Sequence, residues 1–261
     1  MAGKATNLPF DLPRLRAGIK PFRLHWFPRL RSTNDHAAAL RKRGTLFAPA
    51  MVLTGHQLAG RGRGSNTWWS GDGSVTVTFV FAADEYLAPY HVPLIAGLAA
   101  RDAAAEVCGD DRIKLKWPND LLYDGKKLTG LLCERVYKAD LIGIGMNVNV
   151  DLKQIPQPLR SRVTGLSQIA DRPIDPNELL IALARRLHVL LSNRNEQSFA
   201  TILQAYDHHH ALVDRKVTVL GSPGEPPIKG VCQGLDDMGR LLLRDRKTVH
   251  RVIAGHVQLD E

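Results

Sequence analysis

The chain has 261 residues, 44% hydrophobic and 23% charged, and 35 Lys and Arg against 26 Asp and Glu leave a formal charge of +9. That composition is ordinary for a globular protein with a real core, organised as one domain or as one large and one small, and the positive balance suits an anionic ligand and keeps nucleic acid in play. Cys108, Cys133 and Cys232 are sparse and without a CxxC, which excludes a disulfide framework or a zinc pattern, while no apolar run approaches the ~20 residues of a membrane span and no signal-peptide h-region follows Lys4, so a cytoplasmic protein is expected.

Residues 1–20 carry prolines and arginines with no clear period and are expected to be a poorly ordered arm or lead-in. Residues 23–27 read as a first strand. Arg31-Ser32-Thr33-Asn34-Asp35 precedes an alanine-rich run at residues 36–40, which is an N-cap signature. Those polar residues have two readings: capping alone, or recognition of a ligand at a helix N-terminus. Residues 50–54 read as a buried strand leading through Gly55-His56-Gln57-Leu58-Ala59 into Gly60-Arg61-Gly62-Arg63-Gly64-Ser65-Asn66-Thr67-Trp68-Trp69.

In that run three glycines alternate with two arginines. Glycine lets backbone approach a ligand, successive N–H groups make an anion-binding concavity, and the guanidinium fork suits phosphate or carboxylate. A flexible basic loop is the bland alternative. Residues 73–81 (GSVTVTFVF) alternate as a half-buried strand. The Gly/Arg run therefore joins two strands and opens no helix, which excludes a Rossmann fingerprint and a Walker loop.

Residues 94–107 form an alanine-rich helix with Pro93 near its start and Gly109 after its end. Residues 113–117 are a short strand. Asp124-Gly125 is a strong hairpin turn. It is expected to put Lys116-Trp117-Pro118-Asn119-Asp120 and Lys126-Lys127-Leu128-Thr129-Gly130 on neighbouring strands. A lysine there can polarise a carboxylate and neutralise phosphate; Asn119 and Asp120 can ligate a metal or a ribose, or only build a turn. Residues 141–150 are a strand with two glycines, open to close approach by backbone or ligand.

After a proline-rich connection at residues 151–163, Asp175-Pro176-Asn177-Glu178 starts an amphipathic helix to about residue 191, and a second helix spans residues 197–206. From residue 210 short strands at 217–219, 228–232, 241–243 and 249–253, punctuated by glycines, read as a small all-β barrel. His208-His209-His210 suggests a metal, but consecutive histidines point in different directions, which favours a helix-end or interdomain turn.

Taken in order, Ser32-Thr33-Asn34, Gln57 to Arg63, Trp68, Lys116 to Asp120, Lys127-Leu128-Thr129-Gly130 and Gly143-Ile144-Gly145-Met146-Asn147 resemble the motif series of biotin–protein ligases. The resemblance implies an α+β fold: a class II synthetase-like catalytic domain with a mixed, largely antiparallel sheet carrying helices on one side, then an SH3-like barrel. The expected divisions are residues 1–20, 21–209 and 210–261.

The resemblance also implies an ATP-dependent ligase. Biotin and Mg·ATP would give biotinyl-5′-AMP and diphosphate, and biotin would then pass to a lysine of a biotin carboxyl carrier protein. By that resemblance, Ser32, Thr33, Asn34 and Gln57 hold biotin's ureido head. Gly60, Arg61, Gly62 and Arg63 close over carboxylate and α-phosphate. Lys127, with Gly130, sits at the carboxylate. Lys116, Asn119, Asp120 and Asn147 face the nucleotide, and Trp68 shelters the adenine; the metal ligands are unassigned. Lipoate or octanoate transfer to a carrier lysine is the alternative, and a nucleic-acid-binding module is a third. Gly64, Ser65 and Asn66 stand where many bacterial members carry further basic residues, which removes a phosphate contact. No N-terminal DNA-binding domain is recognised, so neither specific DNA binding nor a repressor role is expected, nor any membrane association; a homodimer is compatible with the fold.

Overall fold

The computed structural model describes residues 10–192, 196–246 and 248–260. The first nine residues of the expected arm lie outside them. The rest of it is not an arm. Helix α1 (Leu12–Gly18) starts at Asp11, whose carboxylate accepts from the Arg14 N–H at 3.0 Å, and Leu15 and Ile19 are fully buried. A helix of two turns with so few buried residues is too short for its period to show in sequence.

The chain then runs β1 (Arg23–Leu30), α2 (Thr33–Lys42), β2 (Ala50–Gln57), β3 (Gly60–Arg61), β4 (Thr67–Trp68), β5 (Ser74–Ala82), α3 (Val92–Cys108), β6 (Lys114–Lys116), β7 (Asp120–Tyr123), β8 (Lys126–Val136) and β9 (Ala139–Asn147). Seven of these strands form one sheet in the order β1-β2-β5-β9-β8-β7-β6. Only β1 and β2 pair in parallel, so the sheet is mixed and largely antiparallel. The Asp124-Gly125 turn has φ of 47° and 75°, the paired positive values that a tight two-residue hairpin requires. Strand β7 lies between β6 and β8, so Lys116 on β6 is two strands from Lys127 on β8, while Asp120 on β7 pairs directly with Gly130 of β8.

Helices cover both faces of the sheet, not one. Met51, Leu53, Val77, Phe79, Ile142 and Ile144 join the main core with α3, whereas Ala50, Val52, Val80 and Leu141 pack on the other face with Ala37 of α2. The alternation of Val and Thr in β5 reads as half-buried, yet Thr76 and Thr78 are buried too. A buried threonine is tolerated when its hydroxyl is satisfied, and Thr78 donates to Asn34 Oδ1 at 2.6 Å.

Helices α4 (Gln157–Arg160), α5 (Leu166–Ala170), α6 (Pro176–Ser192) and α7 (Glu196–His208) follow. The histidine run occupies the end of α7 and the turn after it. There the Leu115 N–H donates to His209 O, and the Ala211 N–H to Leu115 O, each at 2.8 Å. Strands β10 (Lys216–Leu220), β11 (Ile228–Leu235), β12 (Leu241–Arg244), β13 (Val249–Val252) and β14 (His256–Leu259) form a five-stranded antiparallel sheet in the order β13-β12-β11-β10-β14. The last strand extends past the four expected. Trp117 Nε1 donates to Gly239 O at 3.3 Å and His91 Nε2 lies 2.9 Å from Met238 O, which ties the β11–β12 turn to the segment after β6 and to the start of α3.

Candidate functional site

A cavity of about 270 Å³ opens on the α2 face of the large sheet. Its floor is β9. A Cβ on Gly143 would come within 2.9 Å of Asn34 Cγ, and one on Gly145 within 2.6 Å of Trp68 Nε1. Bare backbone at these two positions is what lets Asn34 and the Trp68 indole lie flat on the sheet.

One end of the cavity is a buried polar nest at the start of α2. Ser32 caps the helix, accepting from the Asp35 N–H at 3.3 Å. Gln57 Oε1 accepts from the Thr33 N–H at 2.9 Å and from Thr33 Oγ1 at 3.3 Å. Asn34 Nδ2 donates to Leu132 O at 3.0 Å and to Glu134 Oε2 at 2.8 Å. Both Asn34 amide protons are therefore used by the protein, so Asn34 braces the nest and offers a ligand only the second lone pair of Oδ1.

The other end is cationic. Lys127 Nζ is 2.7 Å from Asp120 Oδ1 on the next strand. Arg63 NH1 donates to Asn119 Oδ1 and to Gly255 O, both at 3.2 Å. Burial lowers the Arg63 pKa, opposed by Asp120; burial also lowers that of Lys116, opposed by Asp120 and reinforced by Lys127. Buried cations without a full complement of counter-charge are held ready for an anion. Asn119 Nδ2 donates to Leu131 O at 2.7 Å and Asn147 Nδ2 to Thr164 O at 3.1 Å, fixing both amides.

The roof is the β3–β4 ribbon, in which Gly60 pairs with Trp68 and Arg61 with Thr67. The Gly62 N–H donates to Asn66 O at 2.7 Å, and Gly64 turns with φ of 60°. Trp68 reaches down to Gly145 and within 3.3 Å of a Cβ on Gly130, and its buried Nε1 has no hydrogen-bond partner among the described residues.

Every residue given a ligand-binding role from the sequence lines this cavity except Gly60 and Lys116. Gly60 sits at the ribbon's root, where a Cβ would meet Gln57 Nε2 at 2.7 Å, and Lys116 pairs with Asp120 across β6 and β7. Sequence reasoning missed Thr76, Leu132, Ile155, Val163 and His256, which also line it, and Glu134, which braces Asn34. The alternation of β8 could have pointed to Glu134. Nothing local marks His256, because it reaches the cavity from β14. Burial lowers its pKa, and Lys116, Lys127 and Arg63 push the same way against Asp120.

Residues 26–151 match the model of the biotin/lipoate A/B protein ligase family. A biotin protein ligase from Aquifex aeolicus, solved in complex with biotin and ATP, superposes with a TM-score of 0.81 at 27% identity, covering 91% of this chain and 98% of that one. The chain carries a biotin/lipoate A/B protein ligase domain and is similar to biotin protein ligases over most of its length. The biotin–[acetyl-CoA-carboxylase] ligase of Paracoccus denitrificans is 29% identical over 82% of this chain and 92% of its own length. A Leishmania major biotin protein ligase in complex with biotinyl-5-AMP superposes with a TM-score of 0.60 at 27% identity, covering 92% and 99%. The motif-bearing part of the chain, from β1 to the end of β9, lies almost wholly within the matched residues.

Proposed function

We propose that this protein activates biotin with ATP and transfers it to a lysine of a biotin carboxyl carrier protein. The observation that carries the reading is one small cavity with a polar nest at one end and Lys127 and Arg63 at the other, under a Gly/Arg ribbon. The nest of Ser32, Thr33 and Gln57, braced by Asn34, takes the ureido head. The acyl chain runs along the cavity from that nest toward Lys127. The carboxylate then reaches Lys127, the ribbon backbone at Gly60, Arg61 and Gly62, and the Arg63 side chain, while ATP lies toward Lys116, Asn119, Asp120 and Asn147, with Trp68 covering the adenine.

In the first step a biotin carboxylate oxygen bonds to the α-phosphorus, the bond to the bridging oxygen of the β-phosphate breaks, and diphosphate leaves. Lys127 and Arg63 offset the negative charge where two anions meet, and alignment of the two supplies most of the rest. In the second step the carrier lysine's neutral amine attacks the acyl carbon, AMP leaves, and one proton is released. A closed ribbon keeps water from the mixed anhydride.

Magnesium is expected with the nucleotide. Asp120 is the one carboxylate among the cavity's lining residues and it already pairs with Lys127, a donor set that does not fit a resident Mg²⁺. Such an ion enters on the phosphates, and no step is assigned to the protein through it. Residues 21–209 act as the catalytic unit and residues 210–261 as the accessory one, reaching the cavity through His256.

Lipoate or octanoate transfer is not favoured, since the similar proteins described above are biotin ligases. Biotin-dependent exchange of labelled diphosphate into ATP, run beside lipoate and octanoate, is the test. Exchange with biotin alone is expected; exchange with lipoate instead would move the assignment to the sister activity.

A further inference from the structure

Two arginines alternate in the ribbon, and their surroundings differ in kind. Among the described residues the hydrogen-bond acceptors of Arg63 are neutral oxygens, Asn119 Oδ1 and Gly255 O, and Asp120 acts on it only through its field, so its charge is available to a ligand. Arg61 lies 2.6 Å from Asp35 Oδ1 and 3.0 and 3.1 Å from the two oxygens of Glu134. One guanidinium faces two carboxylates, and that corner is net negative. A ligand carboxylate or phosphate brought to Arg61 would have to displace a carboxylate already bound there.

We infer that Arg61 is the latch of the ribbon and not an anion ligand, and that Asp35 and Glu134 are the positioning residues that hold the ribbon over the cavity. Asp35 belongs to α2 and Glu134 to β8, two separate elements of the body of the protein. The ribbon is rooted just before Arg61 by the Leu58 N–H on Leu30 O and the Ala59 N–H on Arg31 O, both at 2.8 Å. Beyond that root, Arg61 and Arg63 are the ribbon's side chains tied by these bonds to the body. Glu134 has a second duty: its Oε2 also accepts from Asn34 Nδ2. One carboxylate oxygen thus joins the roof to the brace of the polar nest, so that release of Arg61 and rearrangement of Asn34 are coupled through it. Ion pairs half-exposed to water are individually weak, which suits a latch that must open for entry and exit.

The two roles for Arg61 predict opposite signs. A latch is weakened by neutralising its carboxylates. An anion ligand is freed by the same change. The experiment compares the intact chain with Asp35→Asn, Glu134→Gln and Arg61→Ala. Glutamine at 134 keeps an acceptor for Asn34, so the nest survives. Hydrogen exchange of the ribbon amides in the ligand-free protein is expected to speed up about threefold in each carboxylate variant, and further in Arg61→Ala. Adding Asp35→Asn to Arg61→Ala is expected to add nothing, as for residues acting on one bond. Dissociation of biotinyl-5′-AMP is expected to quicken in the same order. Unchanged exchange in both carboxylate variants, or slower dissociation of biotinyl-5′-AMP from Asp35→Asn, would overturn the latch. The latch is independent of the ligand assignment in its exchange arm; only the dissociation arm rests on the biotin reading. If biotin is not the substrate, the parent protein fails to bind it while ribbon exchange still reports on Arg61.

Discussion

The floor and the roof of the cavity are built by different means. The floor is strand β9, nine residues long, buried at every position and paired on both sides. The roof is two strands of two residues, joined to the body through side chains partly open to water. Opening the floor would break core packing, whereas opening the roof breaks a few polar contacts and lifts one indole, Trp68, off the sheet. Recognition of shape is therefore rigid and retention is adjustable, which is the division of labour a two-step reaction with a reactive intermediate needs.

The sharpest way to break this comparison is at the boundary between the two, where Lys127 stands on β8 under the ribbon. Lys127→Ala is expected to slow diphosphate exchange by about 10²–10³, the usual loss for one preorganised electrostatic donor. Its pair with Asp120 is partly solvated, so the unfolding midpoint in urea is expected to shift little. An exchange rate near that of the parent protein would remove Lys127 from the chemistry.

Next in size is a change to the floor itself. Gly143→Ala drives a methyl into Asn34, which cannot move without abandoning Thr78, Leu132 and Glu134. Overpacking of this kind costs about 1–3 kcal/mol. Unlike a roof mutation, it is expected to weaken biotin binding and global stability together. Calorimetric titration with biotin and urea unfolding check the two effects, and loss of affinity at full stability would mean that the floor yields locally.

The contrast also explains what was legible in the sequence. Local chemistry announced itself: the Asp124-Gly125 turn, the Ser32 cap, and the glycines at 143 and 145 each follow from a short-range rule. The motif order grouped the cavity's residues, since they lie on consecutive elements. What could not be read depended on burial imposed by distant chain. Thr76 and Thr78 look solvent-facing until α2 is known to cover their side of the sheet. The pairing of Arg61 with Glu134 spans 73 positions, and His256 enters from the other sheet. An arginine in a Gly/Arg run reads as a ligand for anions; only the fold reveals that one of the two is already neutralised.

Removing the other tie of the roof tests whether retention resides there. Arg63→Ala loses the bonds to Asn119 and to Gly255 O, the second of which joins the ribbon to the smaller sheet. Dissociation of biotinyl-5′-AMP is expected to quicken about tenfold, as for a charge-assisted contact of roughly 1–2 kcal/mol, with thermal stability preserved. Leakage of the intermediate at the parental rate would argue that the roof does not control retention.

The smallest effect expected is a titration in the floor's own helix. His36 in α2 stacks edge-on against Phe27 with ring centroids 4.4 Å apart, and its Nε2 has no hydrogen-bond partner among the described residues. Burial, aided by repulsion from Arg43, lowers its pKa below the ordinary 6.5. Well above 6.5 neither folded nor unfolded chain holds this proton, and the stability contribution is complete. As pH falls through 6.5 the unfolded chain is protonated before the folded one, so stability declines until the lowered folded value is passed. The urea midpoint is therefore expected to be lower at pH 5.5 than at pH 7.5, conditions about one unit either side of the free imidazole. His36→Phe keeps the ring contact and removes the titration, so it is expected to lessen that difference. It should not abolish it, because His25, His91, His209 and His256 are lowered by burial as well. Hydrogen exchange separates floor from roof in the same samples: acid should loosen α2 amides in the parent protein more than in His36→Phe, and equal loosening in both would assign the acid sensitivity to the other histidines.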